Sequence, residues 1–256
     1  MLNEMKEAYL IYSQSQRFIK LLEETREFMK GLLCKYSRPS ISYSSGKDSL
    51  VLLLLCLEVK PDIPVMWHDS GVELPESYTM IKKAQQLLNL NLHTVMSPVD
   101  VLEIYKEKKA YIYIYQKDLA WTEAMMNPIC DWLKHQKINL NFIGLRKEES
   151  KKRRLMLGSR GKVFYAKTRE MTQAYPLADW RGEDVFAYIF MKSADNLIHP
   201  AYYKTRFVET PDKIRVSWFC DPAGVTGKKG AVWLKYYYPE LFRKLFKIFP
   251  EIKSYS

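Results

Sequence analysis

Apolar positions recur every three to four residues through the first stretch of the chain. Phe18, Leu21, Leu22, Thr25, Phe28, Met29, Leu32 and Leu33 share one face, with Lys20, Glu23, Glu24 and Glu27 opposite. That spacing predicts an amphipathic helix packed on a core. Cys34 and Cys56 are expected on buried helix faces as small core residues. Arg38-Pro39 ends the first helix, because the residue before a proline is driven out of the helical region. The pattern then alternates. Ile41-Ser42-Tyr43 reads as a strand, 44–49 as a polar loop, and 50–59 as a helix apolar nearly all round. Pro61 and Pro64 precede a second strand at 65–68. Pro75 and Glu76 open a helix through 88, 92–95 makes a third strand, and a fourth ends at Ile143. Strands and helices in this order, on short links, predict an α/β fold: an open, mostly parallel twisted sheet with helices on both faces. At 110–121, Tyr111, Tyr113 and Tyr115 alternate with Ile112 and Ile114, and two readings stand, a strand with an aromatic face or an irregular segment. Beyond Gly161 the pattern weakens. Prolines at 176, 200, 211 and 222 interrupt it, and helices are expected at 181–191 and 235–249, the latter restarting at Pro239.

Composition narrows the class. The chain has 256 residues, 47% of them hydrophobic and 27% charged, which excludes intrinsic disorder. Four cysteines exclude a disulfide scaffold, fit a reducing compartment and still allow a metal or cluster site. The longest apolar run, 50–57, is eight residues, against about twenty for a membrane-spanning helix. The first ten residues contain Glu4 and Glu7 and no apolar leader. These features predict a soluble, cytoplasmic protein. Forty Lys and Arg against 29 Asp and Glu give a net charge of +11, which favours anionic partners without separating nucleotides, sulfate and nucleic acid.

The strongest chemical signal is Ser44-Ser45-Gly46-Lys47-Asp48-Ser49, between a strand and a helix. Small residues let the backbone approach a ligand closely. The helix start that follows offers unpaired N–H groups and a positive dipole end, and Lys47 adds a full charge. The segment reads as an anion cradle for phosphates. It is not a Walker A loop, since position 41 is Ile where a glycine is needed and position 48 is Asp where Ser or Thr is needed. In an open parallel sheet ligands bind beyond the carboxyl ends of the strands. That rule puts the loop, Asp69 with Gly71, and Gly144 with Arg146 along one edge. Asp69 has three readings, a hydrogen-bond acceptor for adenine or ribose, a residue that helps hold a metal, and a cap for the helix near 76. Arg146, Lys147, Lys151, Lys152, Arg153 and Arg154 put six cations in nine residues. For Lys151 and Lys152 a solvated charged face stands beside an anion-binding one.

The loop resembles the pyrophosphate loop of the N-type ATP pyrophosphatases. Three more segments narrow the resemblance to the phosphoadenosine phosphosulfate (PAPS) reductase-like family: Asp69-Ser70-Gly71-Val72-Glu73-Leu74-Pro75-Glu76, Gly144-Leu145-Arg146-Lys147-Glu148-Glu149-Ser150 with Arg153, and Tyr175-Pro176-Leu177-Ala178-Asp179-Trp180 with Asp184 and Tyr188. The resemblance implies an adenine nucleotide α-hydrolase-like fold. It implies a helical segment at 1–40, a nucleotide-binding α/β domain at 41–195, and a C-terminal segment at 196–256 packed over the ligand edge. It implies ATP or PAPS held by Ser44, Ser45, Gly46, Lys47, Asp48, Ser49, Asp69, Gly71, Gly144 and Arg146. Catalytic roles fall to Lys47, Asp48, Arg146 and Arg153, with Mg2+ at Asp48. The arginines are expected to clamp phosphate or sulfate, as guanidinium forks do. The family usually has Gly where this chain has Ser45, and Ser tolerates fewer backbone angles.

The cysteines depart from the family. Cys130 and Cys220 lie in segments resembling those that supply iron–sulfur ligands, but Ser217 stands where one ligand is expected. Two matching cysteines are too few for a cluster that needs four thiolates, so no iron–sulfur cluster is expected. No cysteine follows position 220, whereas cluster-free reductases of the family use a C-terminal one. His68 reads as a packed strand residue beside the site, and His199-Pro200-Ala201-Tyr202 as a structural turn. The favoured expectation is therefore cleavage of ATP between its α- and β-phosphates in sulfate activation or sulfur transfer, including sulfur insertion into DNA. PAPS reduction to sulfite and a nucleotide-regulated nucleic-acid-binding module are the alternatives. A sulfur-carrier protein, nucleic acid and a further copy of the chain are the candidate partners, and a membrane is not.

Overall fold

The computed structural model describes residues 2–109, 119–167, 169–217 and 230–255. The alternating tyrosines at 111–115 and Cys220 lie outside them. Helices α1 (Lys6–Tyr12) and α2 (Gln16–Lys35) lead into β1 (Pro39–Ser42), α3 (Lys47–Val59), β2 (Val65–Asp69), α4 (Pro75–Leu88) and β3 (Leu92–Met96). After α5 (Val101–Glu107) and α6 (Asn127–His135) come β4 (Leu140–Phe142), α7 (Lys151–Arg160), β5 (Val163–Ala166), β6 (Met171–Ala174) and α8 (Gly182–Met191). Helices α9 (Gly230–Tyr237) and α10 (Pro239–Ile248) follow short 3-10 turns.

The six strands form one sheet in the order β3-β2-β1-β4-β6-β5. β1 runs parallel to β2 and β4, and β4 parallel to β6. β5 is antiparallel to β6, with Val163 opposite Ala174 and Ala166 opposite Met171. A mostly parallel sheet flanked by helices is what the alternating pattern predicts. The β5–β6 pair, where the pattern weakens, is an addition to it.

Local sequence explains the boundaries. Ser15 caps α2, its hydroxyl accepting from the Phe18 N–H. The α2 stripe buries Phe18, Leu22, Thr25, Met29 and Leu32. Cys34 falls off that stripe and is exposed, which corrects the expectation of a buried face. Cys56 is buried on α3, where burial pushes its thiol well up. Helix α3 begins at Lys47, inside the segment expected to be loop, because Gly46 already has the extended backbone of a cap.

Two compact units are present. The first takes in the chain up to Trp67, Thr79–His93 and Leu133–His199. Its N-terminal helices are tied to α8 through Asp184, fully buried, whose carboxylate accepts from Tyr12 and Arg17 at 2.7 Å each. Leu157 anchors α7 beside Tyr175 and Ala178. The second unit takes in His68–Tyr78, Thr94–Trp132 and the chain from Pro200 onward. There Tyr105 packs edge-on against Phe249, and Lys204 lies 4.0 Å from the Tyr238 ring centroid. Among the described residues no helix is long and apolar enough to cross a membrane.

Candidate functional site

The loop after β1 carries a conformational cost. Ser45 sits at φ 57°, the left-handed region that L-residues avoid and glycine tolerates. The residue is buried, and its hydroxyl has no hydrogen-bond partner. A strained backbone and an orphaned polar atom in one residue mark a place where the fold gives up stability locally. Around it the loop is cross-braced. The Ser49 hydroxyl accepts from the Ser44 N–H at 3.1 Å and donates to the Gly46 carbonyl at 2.9 Å. Gly46 is the cap of α3 and brings no side chain to its first turn. Such a turn is the usual anion receptor of α/β folds.

Charged side chains converge on this turn. Lys47 is 3% exposed, and its ammonium lies 2.5 Å from Asp48 Oδ2. The other Asp48 oxygen accepts from Arg146 Nε, also at 2.5 Å. Arg146 is fully buried, and its Nη1 donates to Glu148 Oε2 at 2.9 Å. That same Glu148 oxygen accepts from the Gly182 N–H at 2.7 Å, tying the cluster to the start of α8. Glu149 accepts from the Arg146 N–H at 2.7 Å and pairs with Arg153. Lys47, Arg146 and Arg153 are thus matched by Asp48, Glu148 and Glu149. Carboxylates on two of its nitrogens offset part of the desolvation cost of burying Arg146, which an unpaired guanidinium would bear in full.

Gly144 explains how the two segments come so close. A Cβ there would lie 3.1 Å from the carbonyl carbon and oxygen of Asp48 and from the Ser49 nitrogen. Only a glycine lets the chain after β4 press against the first turn of α3. Ser150 then caps α7, its hydroxyl accepting from the Arg153 N–H at 3.2 Å.

The structure therefore brings Ser44, Ser45, Gly46, Lys47, Asp48, Ser49, Gly144, Arg146 and Arg153 together in the first unit. Asp69 and Gly71 belong to the second. There Asp69 Oδ1 accepts from the Gly71 N–H at 2.8 Å and the Tyr78 hydroxyl at 3.0 Å. Gly71 has φ +75°, which a tight turn after β2 requires. Ser70 donates to buried Glu73 at 2.6 Å. Burial pushes the Glu73 carboxyl up to about 7, against the Ser70 bond and with help from the Asp69 charge. Burial and the Asp69 bond raise Tyr78 to about 12. His68, lowered by burial, is 3.0 Å from the Ala124 carbonyl.

Both Asp48 oxygens face cations, Lys47 on one and Arg146 on the other. Sequence reasoning missed Glu148 and Glu149, although two acids directly after Arg146 were the available signal. It also missed the orphaned Ser45 hydroxyl.

Fold and loop together define an α/β protein whose loop after β1 runs into a glycine-capped helix at the carboxyl end of its sheet. The chain matches the phosphoadenosine phosphosulfate reductase domain over residues 38–207 and belongs to that family. An uncharacterised protein of Methanocaldococcus jannaschii is 30% identical over 83% of this chain and 48% of its own length. A phosphoadenosine 5'-phosphosulfate reductase of Alteromonas mediterranea is 28% identical over 63% of each. The chain thus spans about half to two thirds of these relatives. Among solved structures, the PAPS reductase of Candida auris superposes with a TM-score of 0.53 at 18% identity, over 71% of this chain and 88% of that one. The FMN adenylyltransferase of Candida glabrata gives 0.54 at 17%, over 78% and 65%. The U34-tRNA thiolase of Methanococcus maripaludis gives 0.55 at 14%, over 93% and 81%. At these identities the likeness concerns the fold.

Proposed function

We propose that this chain is an adenine-nucleotide enzyme that cleaves ATP between the α- and β-phosphates. The observation that carries the reading is Lys47, buried at the first residue of a helix whose cap is a glycine. In the proposed step a nucleophile on the acceptor bonds to the α-phosphorus as the bond to the bridging oxygen breaks. Pyrophosphate leaves with the bonding electrons. The Lys47 ammonium and the N–H groups of the α3 start offset the charge that develops on it, with the Ser45 hydroxyl as a further donor. Arg146 acts as a positioning residue, holding Asp48 and through it the Lys47 ammonium. Arg153, 35% exposed at its side chain and paired with Glu149, is the more accessible arginine, and in this step it exchanges Glu149 for the α-phosphate. Magnesium arrives with the nucleotide as part of the substrate. Within this reading the adenylylated product serves sulfate activation or sulfur transfer, DNA phosphorothioation among the forms the latter takes, and the setting is cytoplasmic.

PAPS reduction is the second reading, and the names of the relatives favour it. It needs a partly exposed thiol that attacks the sulfate sulfur. Among the described cysteines Cys130 is half-buried on α6. Assaying the protein with ATP and with PAPS separates the two. Pyrophosphate from ATP that survives Cys130→Ser with Cys220→Ser and is lost in Arg153→Ala supports the first reading. Sulfite from PAPS that disappears in the cysteine variant, with no pyrophosphate from ATP, replaces it with the second.

A further inference from the structure

Between residues 151 and 169 the chain has eight lysines and arginines and no acid. This stretch is α7 followed by β5, the antiparallel strand at the edge of the sheet. Most of the cations are exposed, among them Lys151, Lys152, Arg154, Arg160 and Lys167. Unlike the cluster around Arg146, they are largely unmatched by carboxylates. Among the described residues Arg153 pairs with Glu149 and Lys162 with Asp179, while Lys151, Lys152, Arg154, Arg160 and Lys167 carry no ion pair. The stretch begins beside the α3 turn and ends at the opposite end of the sheet, because β5 runs against β6.

At that far end it meets a cleft of about 440 Å³. Tyr36, Arg38, Lys137, Tyr165 and Arg169 are among its lining residues. Tyr165 is 60% exposed. The one acid in the lining, Glu170, is paired with Lys134 at 3.2 Å. Lysines along an edge strand also block edge-to-edge sheet pairing, and charge alone would serve that purpose. Two tyrosines facing one basic cleft would not be needed for it. Rings set among cations such as Arg38 and Lys137 are the elements that hold single-stranded nucleic acid, the cations on phosphates and the rings on bases. A duplex keeps its bases stacked and offers none to a cleft of this size.

We infer that the α7–β5 edge and its tyrosine cleft bind single-stranded nucleic acid. This surface is separate from the phosphate loop, and the inference stands whether or not ATP is cleaved. Fluorescence anisotropy with a labelled oligothymidylate of about twelve nucleotides, within the range such grooves engage, is the test. Affinity is expected to fall steeply between roughly 50 and 200 mM salt, as release of counterions from several phosphates requires. Tyr165→Ala is expected to weaken the single strand at least about fivefold, the lower end for one lost stacking contact. Tyr165→Phe, which keeps the ring, should retain binding. Arg38→Glu combined with Lys137→Glu should weaken it further and flatten the salt slope. All these residues lie outside the loop, so pyrophosphate affinity should be unchanged in every variant. Equal affinity for single strand, duplex and heparin, with no effect of Tyr165→Ala, would overturn the inference and leave a charged edge that only prevents sheet pairing. Preference for the duplex would overturn it as well.

Discussion

Arg146 and Glu73 are both buried charged side chains, one in each compact unit, and they are held in opposite ways. Arg146 meets Asp48 and Glu148, and its charge is matched where it lies. Glu73 accepts from the Ser70 hydroxyl and backbone and feels the Arg215 charge, yet burial, helped by Asp69, outweighs them and moves its carboxyl toward neutrality, up to about 7. The difference shows two ways to keep an ionisable group inside a protein. One is to supply the counter-charge, which fixes geometry. The other is to let the proton stay on, which makes the region sensitive to pH. The phosphate loop is built the first way, and the turn after β2 the second.

The largest effect is expected from breaking the matched cluster. Arg146→Met removes one of the two cations on Asp48, which keeps Lys47, and the cation on the partly exposed Glu148, and should cost about 3 kcal/mol of stability, the low end for two lost charged hydrogen bonds. Urea unfolding measures it, and a midpoint within error of the parent would show that Arg146 is not the clasp of the loop. The unmatched side of the comparison is a pH experiment. Glu73 has a folded value near 7 against an ordinary 4.5. The stability it supports is therefore full below its unfolded value and is lost as pH rises through about 7. Linkage puts that loss at roughly 3 kcal/mol. Glu73→Gln should flatten the fall in stability between about pH 5 and about pH 8. An unchanged slope would assign the pH dependence to another group. The smallest effect concerns strain. Ser45→Gly relieves the left-handed backbone and removes the orphaned hydroxyl, and should raise stability by about 1 kcal/mol while weakening pyrophosphate binding. A variant less stable than the parent would mean that Ser45 makes an interaction the strain argument omits.

Much of this was legible in the chain itself. Strands 1 to 4 with α3 and α4 follow from alternating apolar runs and proline punctuation, because parallel strands buried on both faces read as short apolar stretches, whereas α5 and α6 were not read from the sequence. The β5–β6 pair was not legible. Polar positions Thr172 and Gln173 sit within its ladder and break the apolar run by which the other short strands are read. Cys34 was misplaced because helical periodicity drifts over a long helix, and position 34 falls two residues beyond the last buried one. The loop was legible as a motif, and its Lys47 and Gly46 could be assigned roles from residue type alone. The partners of Arg146 could not. Asp48 lies 98 residues away in sequence, and only the pairing of β1 with β4 and the absent side chain of Gly144 bring the two segments into contact. The motif suggested an arginine aimed at a ligand, whereas the fold surrounds Arg146 with carboxylates and makes it a support for Asp48.

Calorimetric titration with α,β-methylene ATP, on the parent and on Lys47→Ala, tests the central claim most directly. It depends on the phosphate loop and on no unknown acceptor. Loss of one charged hydrogen-bonding group should weaken binding by about 1.5–3 kcal/mol. The α3 turn is then the phosphate receptor that the account requires. Equal affinity for the analogue in both proteins, with the variant as stable as the parent, would contradict it.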